Sequence, residues 1–256
     1  NGLSVSAVEN LNWSINKTLK HNITLGEVHN LTAKAGAVAI KNSGNRMYGS
    51  ESEFLNTDPG FLYLGLGSSK TRVTQSVWES TLVSFFANAS YNFNQKYYLS
   101  GILRRDGSSR FSKGNQWGTF YSVSGGWNVE TEEFMKEIPA IYKLKLRAGY
   151  GSIGNQNIPL YSYTDRYGYN FYYTFGGQSY NGYAQTQLGN DKLKWETSNQ
   201  FNVGADVELL KGELGLTLDY YYKITNDMLL PASLPPSIGN AAPFQINSDG
   251  NILNTG

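Results

Sequence analysis

The sequence predicts an all-β fold: an antiparallel transmembrane β-barrel segment of about eight long strands, incomplete on its own. Three observations predict it. Apolar and polar residues alternate with period two over stretches longer than the roughly 5–6 residues of a common soluble strand. Connections between these stretches alternate between tight and long, the asymmetry of bacterial outer-membrane barrels. Aromatic residues gather near the ends of the predicted strands, where a lipid-facing wall meets its two interfaces.

The clearest strand runs from Leu193 to Leu209, with Leu193, Trp195, Phe201, Val203, Ala205, Val207 and Leu209 on one face and Lys194, Glu196, Ser198, Gln200, Asn202, Asp206 and Glu208 on the other. After Lys211-Gly212-Glu213 the alternation resumes through Leu214, Leu216, Leu218, Tyr220, Tyr222 and Ile224, so the two stretches form a long hairpin. Val83, Phe85, Ala87, Ala89, Tyr91 and Phe93 define another strand. It turns at Asn94-Gln95-Lys96 and returns from Tyr97 to Arg105. Further strands carry Tyr121, Val123, Trp127 and Val129, and then Tyr142, Leu144, Leu146, Ala148 and Tyr150. Near the start, one strand carries Leu11, Trp13 and Ile15 and a second carries Ile23 and Leu25, with a turn around Lys20 to Asn22.

The tight connections lie near Thr18 to Asn22, at Asn94 to Lys96 and at Leu210 to Glu213. Glu130 to Ala140 is longer, with room for one helical turn. This set is assigned to the periplasm. Gly36 to Ser80, Asp106 to Gly118, Ser152 to Lys192 and the tail after Asn226 form the opposite set. Trp13, Tyr91, Phe93, Tyr97, Trp127 and Tyr142 lie close to the first set, and Trp117, Tyr121, Tyr150, Trp195 and Tyr222 close to the second, giving two girdles.

Composition agrees with short-turn β structure: of 256 residues, 28 are glycine and 19 tyrosine, and only 16% are charged. The 21 basic and 20 acidic side chains nearly cancel, so no field favours nucleic acid. The chain lacks cysteine, which removes disulfide frameworks, thiolate metal sites and cysteine nucleophiles. No apolar run approaches the ~20 residues of a membrane helix, and Asn1-Gly2-Leu3-Ser4 does not read as a signal peptide.

No catalytic, metal or cofactor site is expected. His21 and His29 lack the spacing and companions of metal ligands. Gly44 to Ser50 lacks the Lys-Ser/Thr ending of a phosphate loop, and the Asn-x-Ser/Thr matches at Asn12, Asn16, Asn22, Asn30 and Asn88 lie largely in predicted strands. Glu196, Asp206 and Glu208 alternate along one strand beside Lys194, while Lys143, Lys145 and Arg147 occupy the matching face of another. They predict an ion-paired, hydrated lumen and not an acid/base pair. Tyr161, Tyr163, Tyr167, Tyr169, Tyr172, Tyr173 and Tyr180 crowd one long loop. The first expectation is that they pack on one another as an ordered lid over the barrel mouth, and their faces and hydroxyls also suit contact with a sugar, a peptide or a partner protein.

Leu103-Arg104-Arg105-Asp106-Gly107-Ser108-Ser109-Arg110-Phe111, followed by Trp127-Asn128-Val129 and Glu133-Phe134-Met135, resembles the SusC/RagA branch of TonB-dependent transporters. Leu144 to Gly151 with Gly154-Asn155, Leu193-Lys194-Trp195-Glu196 and Asn254-Thr255-Gly256 follow in the family's order, and the resemblance is strongest from Thr81 onward. It implies that residues 1–256 form part of one large plugged barrel in the outer membrane of a Gram-negative bacterium, surrounded by outer-membrane lipid, with the signal peptide, plug, TonB-contacting segment and closing strand outside this sequence. It implies import of an oligosaccharide or peptide, a SusD-like lipoprotein as cap, and a TonB complex acting through the missing N-terminal region.

The resemblance carries over no ligand residue. Within the shared loop motif, Asp106 is expected to accept hydrogen bonds in a turn, Gly107 to relieve backbone strain, Arg104, Arg105 or Arg110 to tie the loop to lumen carboxylates, and Phe111 completes the motif. The alternative from a different class is a soluble or surface β-rich adhesin or carbohydrate-binding module, which would bury its apolar strand face against a second sheet.

Overall fold

The computed structural model describes residues 2–56, 58–233, 235, 237 and 244–256, with the backbone alone at position 170. Its strands are β1 (Gly2–Leu25), β2 (His29–Ser52), β3 (Arg72–Phe93), β4 (Tyr97–Ser108), β5 (Trp117–Asn128), β6 (Ile141–Asn155), β7 (Arg166–Phe175), β8 (Gln178–Gln187), β9 (Glu196–Leu209), β10 (Leu214–Asn226), β11 (Leu229–Ala232), β12 (Phe244–Asn247) and β13 (Ile252–Thr255). Nine form one sheet in the order β1-β2-β3-β4-β5-β6-β9-β10-β13, while β7–β8 and β11–β12 are separate two-stranded sheets. Strands β1 to β6, β9 and β10 have 12 to 24 residues, in line with the eight long strands expected. Near the end of the chain β13 pairs with β10, Leu253 with Ile224 and Thr255 with Tyr222.

The chain divides into two compact units, Asn1–Ile15 with Ala39–Thr81, and Asn16–Val38 with Leu82–Gly256. In the second unit the register aligns the apolar positions into one face. Phe93 stands opposite Tyr97 and Tyr97 opposite Trp127. Trp127 in turn faces Leu146, Leu146 faces Ala205, and Ala205 faces Leu218. A second row joins Leu103 to Tyr121, and a third joins Val123, Tyr150, Phe201 and Tyr222. Leu103, Leu216 and Leu218 each leave more than half of their surface uncovered, so no second sheet covers this side. Such a wall requires lipid. Trp117 and Trp127 lie at opposite ends of β5, so ten residues at ~3.3 Å each and a tilt of ~40° separate the two girdles by about 25 Å, the height of an outer-membrane apolar band.

Also in the second unit, the tight connection expected near Lys20 is absent. These residues lie inside β1, as do Ile23 and Leu25, and the chain turns only at Gly26, whose φ of 62° supplies the left-handed conformation. Hydrogen bonds from Thr24 to Asn30 (3.2 Å) and from Thr32 to Asn22 (3.1 Å), both in the second unit, close the hairpin around that turn. The long loop expected from Gly36 to Ser80 is also shorter, because β2 continues to Ser52 and β3 begins at Arg72. At ~3.3 Å per residue, a 24-residue strand extends about 80 Å, well beyond what the bilayer needs. Past the lipid band both faces meet water, so pairing continues there without the alternation that marks a membrane strand. Within the first unit Gly44 leaves the space that the Trp78 ring fills, Lys41 pairs with Glu79 at 2.8 Å, and the buried Glu51 carboxylate accepts the Gly65 N–H.

The connection from Val129 to Ala140 holds two 3-10 turns, Val129–Thr131 and Glu133–Glu137, where one helical turn was expected. It folds back onto the girdle. Glu132 accepts from the Tyr97 hydroxyl (2.5 Å), the Lys96 ammonium (3.0 Å) and the Trp127 indole (3.1 Å), and the Tyr97 ring stacks with both Phe93 and Trp127 across neighbouring strands. His29 extends the ladder, its ring tilted against Phe93 and sharing a hydrogen bond with Tyr91. The Tyr97 hydroxyl first and Lys96 next hold the Glu132 carboxyl below its ordinary range, outweighing desolvation. A depressed carboxyl stabilises the fold above its unfolded pKa and loses that contribution as pH falls through the folded value. Acid is therefore expected to loosen this connection in the wild type. Glu132→Gln should make protease cleavage within residues 129–140 faster at neutral pH and flatten its dependence on pH below the usual carboxylate range.

Candidate functional site

Two of the segments that carry the family resemblance, residues 103–111 and 193–196, meet in one buried cluster. Phe111 and Leu193 are fully buried, Ile158, Phe120 and Trp195 nearly so, and Leu82 and Leu229 pack against them. Trp195 was expected on the lipid face as part of the outer girdle. Instead it lies before β9 begins, centred 5.3 Å from both Phe111 and Phe120, with its indole N–H donated to the Gln116 carbonyl at 2.9 Å. Leu193 likewise leaves the lipid face for this cluster. Residues 188–195 are not paired in a strand, so the alternation seen in the sequence does not set their direction.

Phe120 points inward from β5 and lies flat across its neighbours because Gly118 and Gly154 carry no side chain. A Cβ there would sit 2.5 Å and 2.0 Å from its ring. Glu196 then ties the layers together, accepting from Asn155 (3.1 Å) and from the Leu229 N–H (2.9 Å). Lys194 pairs with Asp227 at 2.9 Å, and Asn247 exchanges two hydrogen bonds with the Lys194 backbone.

The Arg-Arg-Asp-Gly motif is strand, not turn. Asp106 and Gly107 belong to β4, where Asp106 is buried and pairs with Arg104 Nε at 2.7 Å, while the same guanidinium donates to the buried Ser84 hydroxyl at 3.0 Å. Gly107 makes room for the Trp117 ring, which an added Cβ would meet at 2.9 Å; its φ is not left-handed, so strain relief is not its role. Successive strand residues point to opposite faces, so Arg104 and Arg105 cannot serve the same carboxylate. Arg105 instead lies 5.3 Å over the Trp117 ring. Arg110 reaches the Ile158 carbonyl and not a carboxylate, which anchors the loop carrying Phe111. Asp106→Ala leaves Arg104 without its carboxylate, and is expected to cost about 1–3 kcal/mol, moderated by the partial exposure of Arg104. Lowered heat stability of the folded barrel in the full-length protein checks this.

The inner face carries the expected ion pairs. Lys143 meets Glu208 at 3.0 Å, and Arg147 bridges Asp206 (3.1 Å) and Asp219 (3.0 Å). Gly204, lying between those strands, lets the guanidinium cross, since a Cβ there would sit 3.0 Å from it and 2.5 Å from Asp219. Lys145 stacks over Tyr98 at 5.5 Å. Arg147, Asp219, Lys145 and Tyr98 border a concavity of about 820 Å³ that Asn202 and Tyr221 also line. Paired charges of this kind hold water and weakly retain polar solutes; they present no free nucleophile or base. Among the described residues no His, Asp and Glu side chains converge as metal ligands.

The tyrosine-rich loop contains an unexpected hairpin, β7–β8. Tyr167, Tyr169, Tyr172, Tyr173 and Tyr180 are exposed on it, together with Phe171, Phe175 and Tyr183. Tyr169 packs on Tyr183 with ring centres 5.2 Å apart, and Tyr173 on Tyr180 at 5.7 Å. Tyr161 and Tyr163 are half-buried at the base, where Arg166 lies 5.4 Å over the Tyr161 ring. The seven tyrosines therefore do not act as one set. The one sequence signal for the hairpin is Gly176-Gly177 between Phe175 and Gln178, at the turn where both glycines have positive φ.

Residues 4–256 match the family profile described as TonB dependent receptor-like, beta-barrel. TonB-dependent receptor P3 of Formosa agariphila is 34% identical over 93% of this chain and 23% of its own length. TonB-dependent receptor SusC of Bacteroides thetaiotaomicron is 37% identical over 61% of this chain and 16% of its own. A solved structure of the RagAB peptide transporter superposes with a TM-score of 0.87 at 28% identity, over 99% of this chain and 28% of that one. The chain thus spans about a quarter or less of the relatives it matches. With its lipid-facing wall, its paired inner face and these likenesses together, the chain belongs to the TonB-dependent receptor β-barrel family of the Gram-negative outer membrane, in the SusC/RagA branch, and not to a family of enzymes.

Proposed function

We propose that this chain is an internal part of a longer plugged barrel that imports a peptide across the outer membrane. A TonB complex drives the import through a segment outside this sequence, and a SusD-like lipoprotein caps the mouth. The observation that carries the reading is the two-faced sheet: an apolar wall outside, and inside it a row of mutually paired charges with water-accessible space. A lumen whose charges are already paired lets a polar cargo pass without trapping it. The likeness to the RagAB peptide transporter favours peptide. The exposed rings of Tyr167, Tyr169, Tyr172 and Tyr173 favour an oligosaccharide as second reading, because flat aromatic faces suit sugar rings.

The test is growth of a strain lacking the full-length gene on defined peptides or oligosaccharides as sole nutrient, with restoration by the intact gene. Restoration on peptides alone supports the first reading, and on oligosaccharides alone the second. Equal growth with and without the gene on every nutrient sinks both.

A further inference from the structure

Outward positions from β3 to β10 are almost without charge. Val83 to Phe93 on β3, Trp117 to Trp127 on β5, Tyr142 to Tyr150 on β6, Phe201 to Leu209 on β9 and Leu214 to Ile224 on β10 place only apolar side chains, tyrosine or Thr119 on that face. Across the outward positions of these stretches and of Tyr97 to Gly107 on β4, Arg105 is the charged exception. Its register partners are outward Phe85 and Thr119, with Leu103 the preceding outward residue of its own strand. A guanidinium toward lipid is tolerated only near the headgroups, and Arg105 lies at that depth, beside the girdle residue Trp117 and far from the tight turns.

The side chain is exposed yet positioned. Phe85 stacks on Trp117 (6.2 Å), Trp117 lies 5.3 Å beneath the guanidinium, and Gly107 leaves the gap that the indole occupies. The adjacent carboxylate, Asp106, points to the opposite face, where Arg104 holds it. We propose that Arg105, on its Trp117 platform, is a binding site for the phosphate of an outer-leaflet lipid headgroup. A guanidinium whose planar fork is held on an aromatic face, with apolar wall on one side for acyl chains and water on the other, matches a phosphate-bearing lipid in charge and shape. The proposal stands on membrane placement and is independent of the cargo.

Native mass spectrometry of the full-length receptor in detergent tests it, with lipid A carrying its phosphates compared with the same lipid after phosphatase treatment. The wild type is expected to retain the phosphorylated lipid about fivefold better. Arg105→Gln should lose that preference and Arg105→Lys keep part of it. No preference in the wild type overturns the proposal even if a variant fails to assemble. So does an undiminished preference in Arg105→Gln, and so does full displacement by inorganic phosphate, which would make free phosphate the ligand. Nutrient uptake can fail or succeed without bearing on any of these outcomes.

Discussion

Leu218→Arg in the full-length receptor is expected to reduce folded barrel sharply, while Thr217→Arg, one residue away, is expected to be tolerated. Leu218 stands opposite Ala205 on the outward face, more than half exposed to what must be hydrocarbon. A cationic side chain near the middle of the lipid face costs about 2–4 kcal/mol. Thr217 points inward, where its hydroxyl donates to Asp206 at 3.1 Å, and a cation there meets carboxylates and water, with a cost below about 1 kcal/mol. The fraction of each variant that keeps folded, heat-modifiable mobility on a gel measures the contrast. Equal losses would mean that the faces have been assigned wrongly, and a larger loss for Thr217→Arg would invert the barrel.

Trp195→Ala should release the outer loops without unfolding the membrane strands. Its indole touches Phe111 and Phe120 and holds the Gln116 carbonyl, so truncation empties the centre of a cluster whose other members have nowhere to collapse. Losses of this kind cost about 3–5 kcal/mol. Limited proteolysis should then cut within residues 109–116 and 156–192, while the segments of β4, β5, β6 and β9 remain protected. Trp195→Phe keeps an aromatic but no N–H donor and should fall between. A protease pattern identical to the wild type would show that the cluster does not hold those loops.

The same comparison explains which features could be read from residues in order. The lipid-facing strands were legible because Val203, Ala205 and Val207 must face hydrocarbon while Asn202, Asp206 and Glu208 face water, and a strand offers only period two to do so. The Lys143–Glu208 and Arg147–Asp206 pairs followed from that parity once the strands were known to be neighbours. Beyond the lipid this constraint vanishes. The outer halves of β2 and β3 hid as apparent loop, and β7–β8 hid behind its tyrosines, since water on both faces leaves no alternation to detect. The first turn was misplaced for a related reason. Lys20 and Asn22 are polar like turn residues, yet the position that reverses the chain is Gly26, whose backbone conformation a strand residue avoids.

By itself the sequence determined the class of the protein, the two faces of its membrane strands, the sign of the charges in its lumen and the absence of cysteine chemistry, because each depends only on residue type and parity along one strand. Only the tertiary structure decided that Phe111, Phe120, Leu193 and Trp195 meet in one core, that Arg104 and Arg105 serve opposite sides of the wall, and that Tyr161 is separated in role from Tyr169. Those outcomes depend on which distant segments are brought together and on where a chain leaves the sheet, and no local period encodes either.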